Sequence, residues 1–174
     1  MLIIGVDPGL ANTGYGVIDA QGQSFQSVVY GCVTTPADMP FPVRLAQLHD
    51  ALDDVLELHK PELCAMESIF FAKNAKSAFQ VGHARGAAIL TAALRGIPVY
   101  EYTPIQIKKA LTGVGRADKA QVQYMTRVIL NLKAVPEPDH AADALAVAIC
   151  HANSMKLRAA TGDAKLVYRQ QAER

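Results

Sequence analysis

Cysteine is scarce in this chain of 174 residues: three are present, at positions 32, 64 and 150. Their number is odd and their spacing is not that of a metal cluster, which argues against a disulfide framework. Long apolar runs are missing too. No stretch of eighteen consecutive apolar residues occurs, so no membrane-spanning helix is expected. The opening MLIIGVDPG is apolar but short, and Asp7 interrupts it, unlike a signal peptide. Internal repeats and linker-like composition are also lacking, which suits one domain around one sizeable core. The expectation is a soluble protein of a reducing compartment, the cytoplasm, with no membrane partner.

What is present is globular in character: 51% of the residues are hydrophobic and 19% charged, which excludes a disordered chain. The formal net charge of +1 hides an asymmetry. Residues 1–66 carry only Arg44 and Lys60 against eight acids, a net of −6. Residues 67–119 carry eight bases against Glu67, Glu101 and Asp118, a net of +5. Clustered bases are what a phosphate backbone would attract. Solvated faces of ordinary helices would look the same by charge.

Hydrophobic periodicity gives the elements. LIIGVD (2–7) reads as a buried strand, and GYGVIDA (14–20) with SFQSVVYGCVTT (24–35) as a hairpin about Gln21-Gly22-Gln23. Leu45, Leu48, Leu52, Val55 and Leu56 mark a helix over 42–60 that Pro61 ends. LCAMES (63–68) reads as a strand, 74–95 as a helix rich in small residues, and IPVYEYT (97–103) as a strand. A short helix at 104–111 is followed by the glycine-bearing loop GVGRADK and a helix at 117–132, with Asp118 an early-turn acid. A final helix spans 139–155, and residues 159–174 are expected to be a flexible tail after a domain of residues 1–158. This order predicts an α/β fold: a mixed five-stranded sheet flanked by helices.

Asp7 and Glu67 each close a hydrophobic strand. Were those strands parallel neighbours, both carboxylates would emerge at one end of the sheet, where α/β folds place their sites. Two such groups repel unless one is protonated or a cation lies between them. Oxygen ligands suit Mg²⁺ or Mn²⁺. The fragment PEPDHAADALAVA (136–148) carries Asp139, His140 and Asp143 on its first turns. Asp143 lies four residues after Asp139 and three after His140, so either pairing shares a helix face. Asp139, just after Pro138, also suits a helix cap. Asp143 sits among alanines that let a partner approach.

The blocks GVDPGLANTGYGV (5–17), AMESIFFAKNAKSA (65–78), ARGAAI (84–89), ADKAQVQYM (117–125) and HAADALAVA (140–148) together resemble the RuvC family. That family comprises bacterial crossover junction endodeoxyribonucleases with a ribonuclease-H-like fold. The similarity runs from about residue 2 to 152. It implies a structure-selective nuclease of DNA recombination and repair. Such an enzyme resolves Holliday junctions by symmetric nicks in two opposing strands, leaving 5′-phosphate and 3′-hydroxyl ends.

By the same resemblance Asp7, Glu67 and Asp143 match catalytic, metal-binding acids. The remaining acidic position falls on His140, since this chain reads H-A-A-D where many relatives resemble D-A-A-D. A step of one residue turns a helix side chain by about 100°, which favours His140 over Asp139. The resemblance implies two ions per site, Mg²⁺ with Mn²⁺ also supporting activity, bridged by Asp7. It matches Lys108 and Lys119 to lysines near the scissile phosphate and Phe70 to an aromatic near the DNA. Lys73, Lys76, Lys109 and Arg116 are candidate phosphate contacts, with a solvated role as the alternative. Phe70 or its neighbour Phe71 would otherwise be core. The implied partners are four-way junction DNA, a second copy in a homodimer joined through GHARGAAILTAAL (82–94), and the RuvA–RuvB branch-migration complex. Two rival readings are a catalytically inactive junction-binding module and a ribonuclease-H-like ATPase or kinase.

Overall fold

The computed structural model describes residues 1–22, 24–68, 75–161 and 166–168. The elements in chain order are β1 (Leu2–Asp7), β2 (Asn12–Gln21), β3 (Ser24–Thr34), α1 (Phe41–His59), β4 (Leu63–Glu67), α2 (Ala75–Leu94), β5 (Val99–Tyr102), α3 (Pro104–Thr112), α4 (Lys119–Ile129), α5 (Asp139–Thr161) and β6 (Leu166–Tyr168). The sheet order is β3-β2-β1-β4-β5-β6. β1, β2 and β3 form an antiparallel meander, β4 and β5 run parallel to β1, and β6 returns antiparallel beside β5. The fold is therefore α/β with the five expected strands in a mixed sheet. A sixth strand is added at the edge. Three residues are too few to show an alternating pattern, yet Leu166 and Tyr168 pair with Tyr100 and Val99. The final helix also continues to Thr161, six residues past the expected stop. The rest of the expected tail lies outside the described residues.

Alternation along the strands divides the core. Ile3, Ile18, Ala65 and Tyr102 face α5, whose Leu145 and Ile149 are fully buried. Ile4, Val6, Val17, Cys64 and Met66 face α1 and α2, meeting Leu48, Leu52 and Ala88. A strand of period two buried on both faces reads as a continuous apolar run, which is why LIIGVD carries no polar residue before Asp7.

Local chemistry fixes the helix ends near the site. Thr103 and Gln106 form a capping box that starts α3, and Gly113 ends it with φ 77°. Asp118 and Gln121 form a second box, so Asp118 is the cap of α4 and the helix proper begins at Lys119. That boundary sets the direction in which Lys119 leaves the helix. No helix among the described residues is long and apolar enough to cross a membrane.

The approach of α5 to the sheet is unusually close. A Cβ built on Gly5 would lie 1.9 Å from the Ala144 carbonyl oxygen, and one on Gly14 would lie 1.9 Å from that of His140. Glycines on β1 and β2 and alanines on α5 together make this contact sterically allowed. The first turn of α5 is thereby laid against the end of β1.

Candidate active site at the carboxyl end of the sheet

β1 and β4 are parallel neighbours, paired up to Val6 and Met66. The next residue on each strand is Asp7 and Glu67, so both carboxylates emerge at the same end of the sheet. α5 supplies His140 and Asp143 from above. Ligand-type atoms of Asp7, His140 and Asp143 all lie within 4.8 Å of one another. His140 Nδ1 is 2.7 Å from Asp7 Oδ2.

Glu67 shares a cleft of ≈ 280 Å³ with Asp143, Lys108, Lys119, Pro104, Ile107, Val122 and Ala146. Burial pushes the Glu67 carboxyl up to about 7, with the Asp7 and Asp143 charges adding to the effect and Lys108 and Lys119 opposing it. Burial likewise raises Asp143, against the pull of Lys119. The protein thus holds more negative charge here than its own cations neutralise. Carboxylate oxygens with one imidazole are a donor set for a hard divalent ion, and imidazole is better matched to Mn²⁺ than to Mg²⁺. The residues present fit such an ion.

Asp139 points elsewhere. It stands at the first position of α5, where the Pro138 carbonyl accepts from the Ala141 amide. Its carboxylate meets Gln123 Nε2 at 2.9 Å and Lys119 Nζ at 3.0 Å, both on α4. Lys119 also reaches Asp143 Oδ2 at 3.1 Å. Asp139 is therefore engaged across the helix pair, where the sequence suggested a cap.

The bases distribute unevenly. Lys108 and Lys119 line the cleft beside the acids. Lys109 is exposed on the outside of α3. Arg116 lines a separate depression with Val114, Tyr124 and Met125. Lys76 lies in the first turn of α2, though its side chain is outside the description. Phe70, Phe71 and Lys73 lie outside the described residues. Sequence reasoning missed Gln123. Its only signal is a spacing of four from Lys119, one turn along α4.

Comparisons with known proteins agree with this architecture. The family model described as crossover junction endodeoxyribonuclease RuvC matches residues 3–151. The RuvC proteins of Ruminiclostridium cellulolyticum and Pelotomaculum thermopropionicum are 50% and 53% identical, over 94% and 88% of this chain and 98% and 93% of theirs. Thermus thermophilus RuvC, solved in complex with a Holliday junction substrate, superposes with a TM-score of 0.89 at 38% identity, covering 96% of this chain and 99% of that one. The yeast mitochondrial Holliday junction resolvase shares the fold, with a TM-score of 0.66 at 14% identity over 91% of this chain and 80% of its own.

Proposed function

The chain belongs to the RuvC family, and on that premise we propose that it resolves four-way DNA junctions as a metal-dependent crossover junction endodeoxyribonuclease. The observation that carries the mechanism is the convergence of Asp7, His140 and Asp143 within 4.8 Å, beside Glu67 at the same end of the sheet. Asp7, Glu67, His140 and Asp143 would hold two divalent ions, Mg²⁺ with Mn²⁺ as a working substitute. Such ions, when bound, supply an activated water and stabilise the departing 3′-oxygen of an in-line displacement.

The protein's own groups do the rest. Lys108 and Lys119 flank the acids in the cleft, where an ammonium offsets charge gathering on the scissile phosphate. Ile107, Val122 and Ala146 form an apolar wall that limits water around those charges. His140 must be neutral to ligate, and Asp7 Oδ2 orients its ring through Nδ1. The products would be a 5′-phosphate and a 3′-hydroxyl.

Lys109 and Arg116, both exposed within the basic segment, are proposed phosphate contacts together with Lys73 and Lys76. Phe70, three residues past Glu67, is proposed to stack on an unpaired base at the crossover. A junction has approximate two-fold symmetry, so two nicks call for a C2 homodimer. Its proposed seam is α2. Phe79, Leu90 and Leu94 are 70%, 56% and 69% exposed and fall on one stripe of that helix. Leu90→Asp should shift the protein to a monomer in light scattering; an unchanged mass would reject this seam. Association with the RuvA–RuvB complex is proposed from family membership.

The test is a nicking assay on four-way, duplex and flap DNA with and without Mg²⁺. Metal-dependent paired nicks confined to the junction are expected. Junction binding without products would instead mark an inactive binding module. Nucleotide hydrolysis without cutting would mark an ATPase.

A further inference from the structure

Lys119 Nζ lies 3.0 Å from Asp139 Oδ2 and 3.1 Å from Asp143 Oδ2. One ammonium thus bridges two carboxylates that are one turn apart on α5. The second oxygen of Asp139 accepts from Gln123 Nε2 at 2.9 Å, and Gln123 is one turn along α4 from Lys119. Three contacts therefore link four side chains across two helices.

The two carboxylates are not equivalent. Asp143 is 25% exposed and belongs to the cluster with Asp7 and His140, whereas Asp139 is 67% exposed and sits on the rim. Burial alone would lower the Lys119 pKa, yet its hydrogen bonds to Asp139 and Asp143 carry it above the ordinary lysine value. Hydrogen bonds from Lys119 and then Gln123 hold Asp139 below the usual carboxylate range. The charges on both members of the rim pair are thus favoured by their contact.

A divalent ion taking Asp143 competes with the ammonium for the same oxygen and repels it at short range. Lys119 then needs another seat. We infer that Asp139 is a positioning residue that retains Lys119 at the rim of the cluster when a divalent ion claims Asp143. Gln123 keeps that seat aimed at α4. The lysine so held stays beside the cleft, where a phosphate charge develops, instead of swinging into solvent. This inference rests on the proposed metal reading of Asp7, His140 and Asp143.

The test is Mn²⁺ titration calorimetry on the full chain without DNA, at constant ionic strength, for the parent, Asp139→Asn, Lys119→Met and the double variant. With its rim seat gone, Lys119 competes harder at Asp143, so Asp139→Asn should weaken Mn²⁺ binding about 3- to 10-fold. In the Lys119→Met background the same change should shift it less than about twofold. Asp139→Glu should restore most of the parent affinity, and matching thermal transitions would show that the variants are folded. An equal loss in both backgrounds would mean that Asp139 acts as a bare charge, and no loss in the parent would mean that it does not act on the ion; either overturns the inference. A parent chain that fails to bind Mn²⁺ would overturn the metal reading itself, and this inference with it.

Discussion

His140 Nδ1 lies 2.7 Å from Asp7 Oδ2, joining the first turn of α5 to the last residue of β1 across 133 positions of chain. The contact exists because the helix sits almost on the strand backbone. It also places one imidazole among carboxylate oxygens, a donor better matched to Mn²⁺ than to Mg²⁺. Replacing it with a carboxylate, His140→Asp, should therefore raise the ratio of Mg²⁺-supported to Mn²⁺-supported nicking. A ratio unchanged from that of the parent would remove His140 from the ligand set.

Glu67 gives a pH dependence of stability. Its folded pKa is about 7, above the ordinary 4.5, with burial as the main cause. Between those values the folded chain holds a proton that the unfolded chain has lost, so stability falls as pH rises through that window. The cost is complete above about pH 7 and absent below about pH 4.5. Discounted for partial exposure it is on the order of 1–3 kcal/mol. Without metal at about pH 8, Glu67→Gln should melt roughly 3–10 °C higher than the parent, with the gain gone near pH 4.5. A variant that melts lower at both pH values would show that the carboxylate is already compensated within the fold. Nicking should be lost in either case.

Gly14 is the third point of leverage. A Cβ there would lie 1.9 Å from the His140 carbonyl oxygen, and backbone cannot yield as a flexible side chain can. Gly14→Ala must lift the start of α5 from β2 and carry His140 away from Asp7. The expected cost is about 1–3 kcal/mol, or roughly 2–12 °C in melting temperature. Nicking measured well below the transition should fall further than that loss of stability explains. Full activity in a destabilised variant would show that the site tolerates the displacement.

Much of this arrangement was legible in the chain itself. Apolar runs that end in Asp7 and Glu67 place two carboxylates at strand ends, while their meeting at one end of the sheet depended on a parallel pairing that the structure supplies. Alanines around Asp143 announce a close approach, though not that Gly5 and Gly14 are its other half. The azimuth of α4 against α5 was not legible. Helix propensity and capping locate Lys119 and Gln123 along their own axis, but only packing decides that they face Asp139. Asp139 after a proline therefore reads as a cap until its cross-helix partners are seen. β6 escaped for a different reason: three residues pair through an open strand edge, and pairing leaves no periodic mark on so short a segment.

The bases separate into two kinds that one experiment distinguishes. Lys119 touches Asp143 and lines the cleft, while Lys109 is exposed on the outer face of α3. A contact that only neutralises phosphate adds to affinity and to its salt dependence, roughly one counterion per contact. Lys109→Ala should therefore weaken junction binding and reduce the slope of log K against log salt by about one, with the nicking rate of bound junction little changed. Lys119→Ala should do the reverse, leaving the slope nearly unchanged while slowing bound-junction nicking by about 10²-fold or more. Binding isotherms in Ca²⁺ at several salt concentrations, followed by single-turnover nicking in Mg²⁺, measure both quantities on the same proteins. Equal effects of the two variants on slope and rate would mean that the cleft lysine is one more surface charge, and that the geometry around Asp143 does not set it apart.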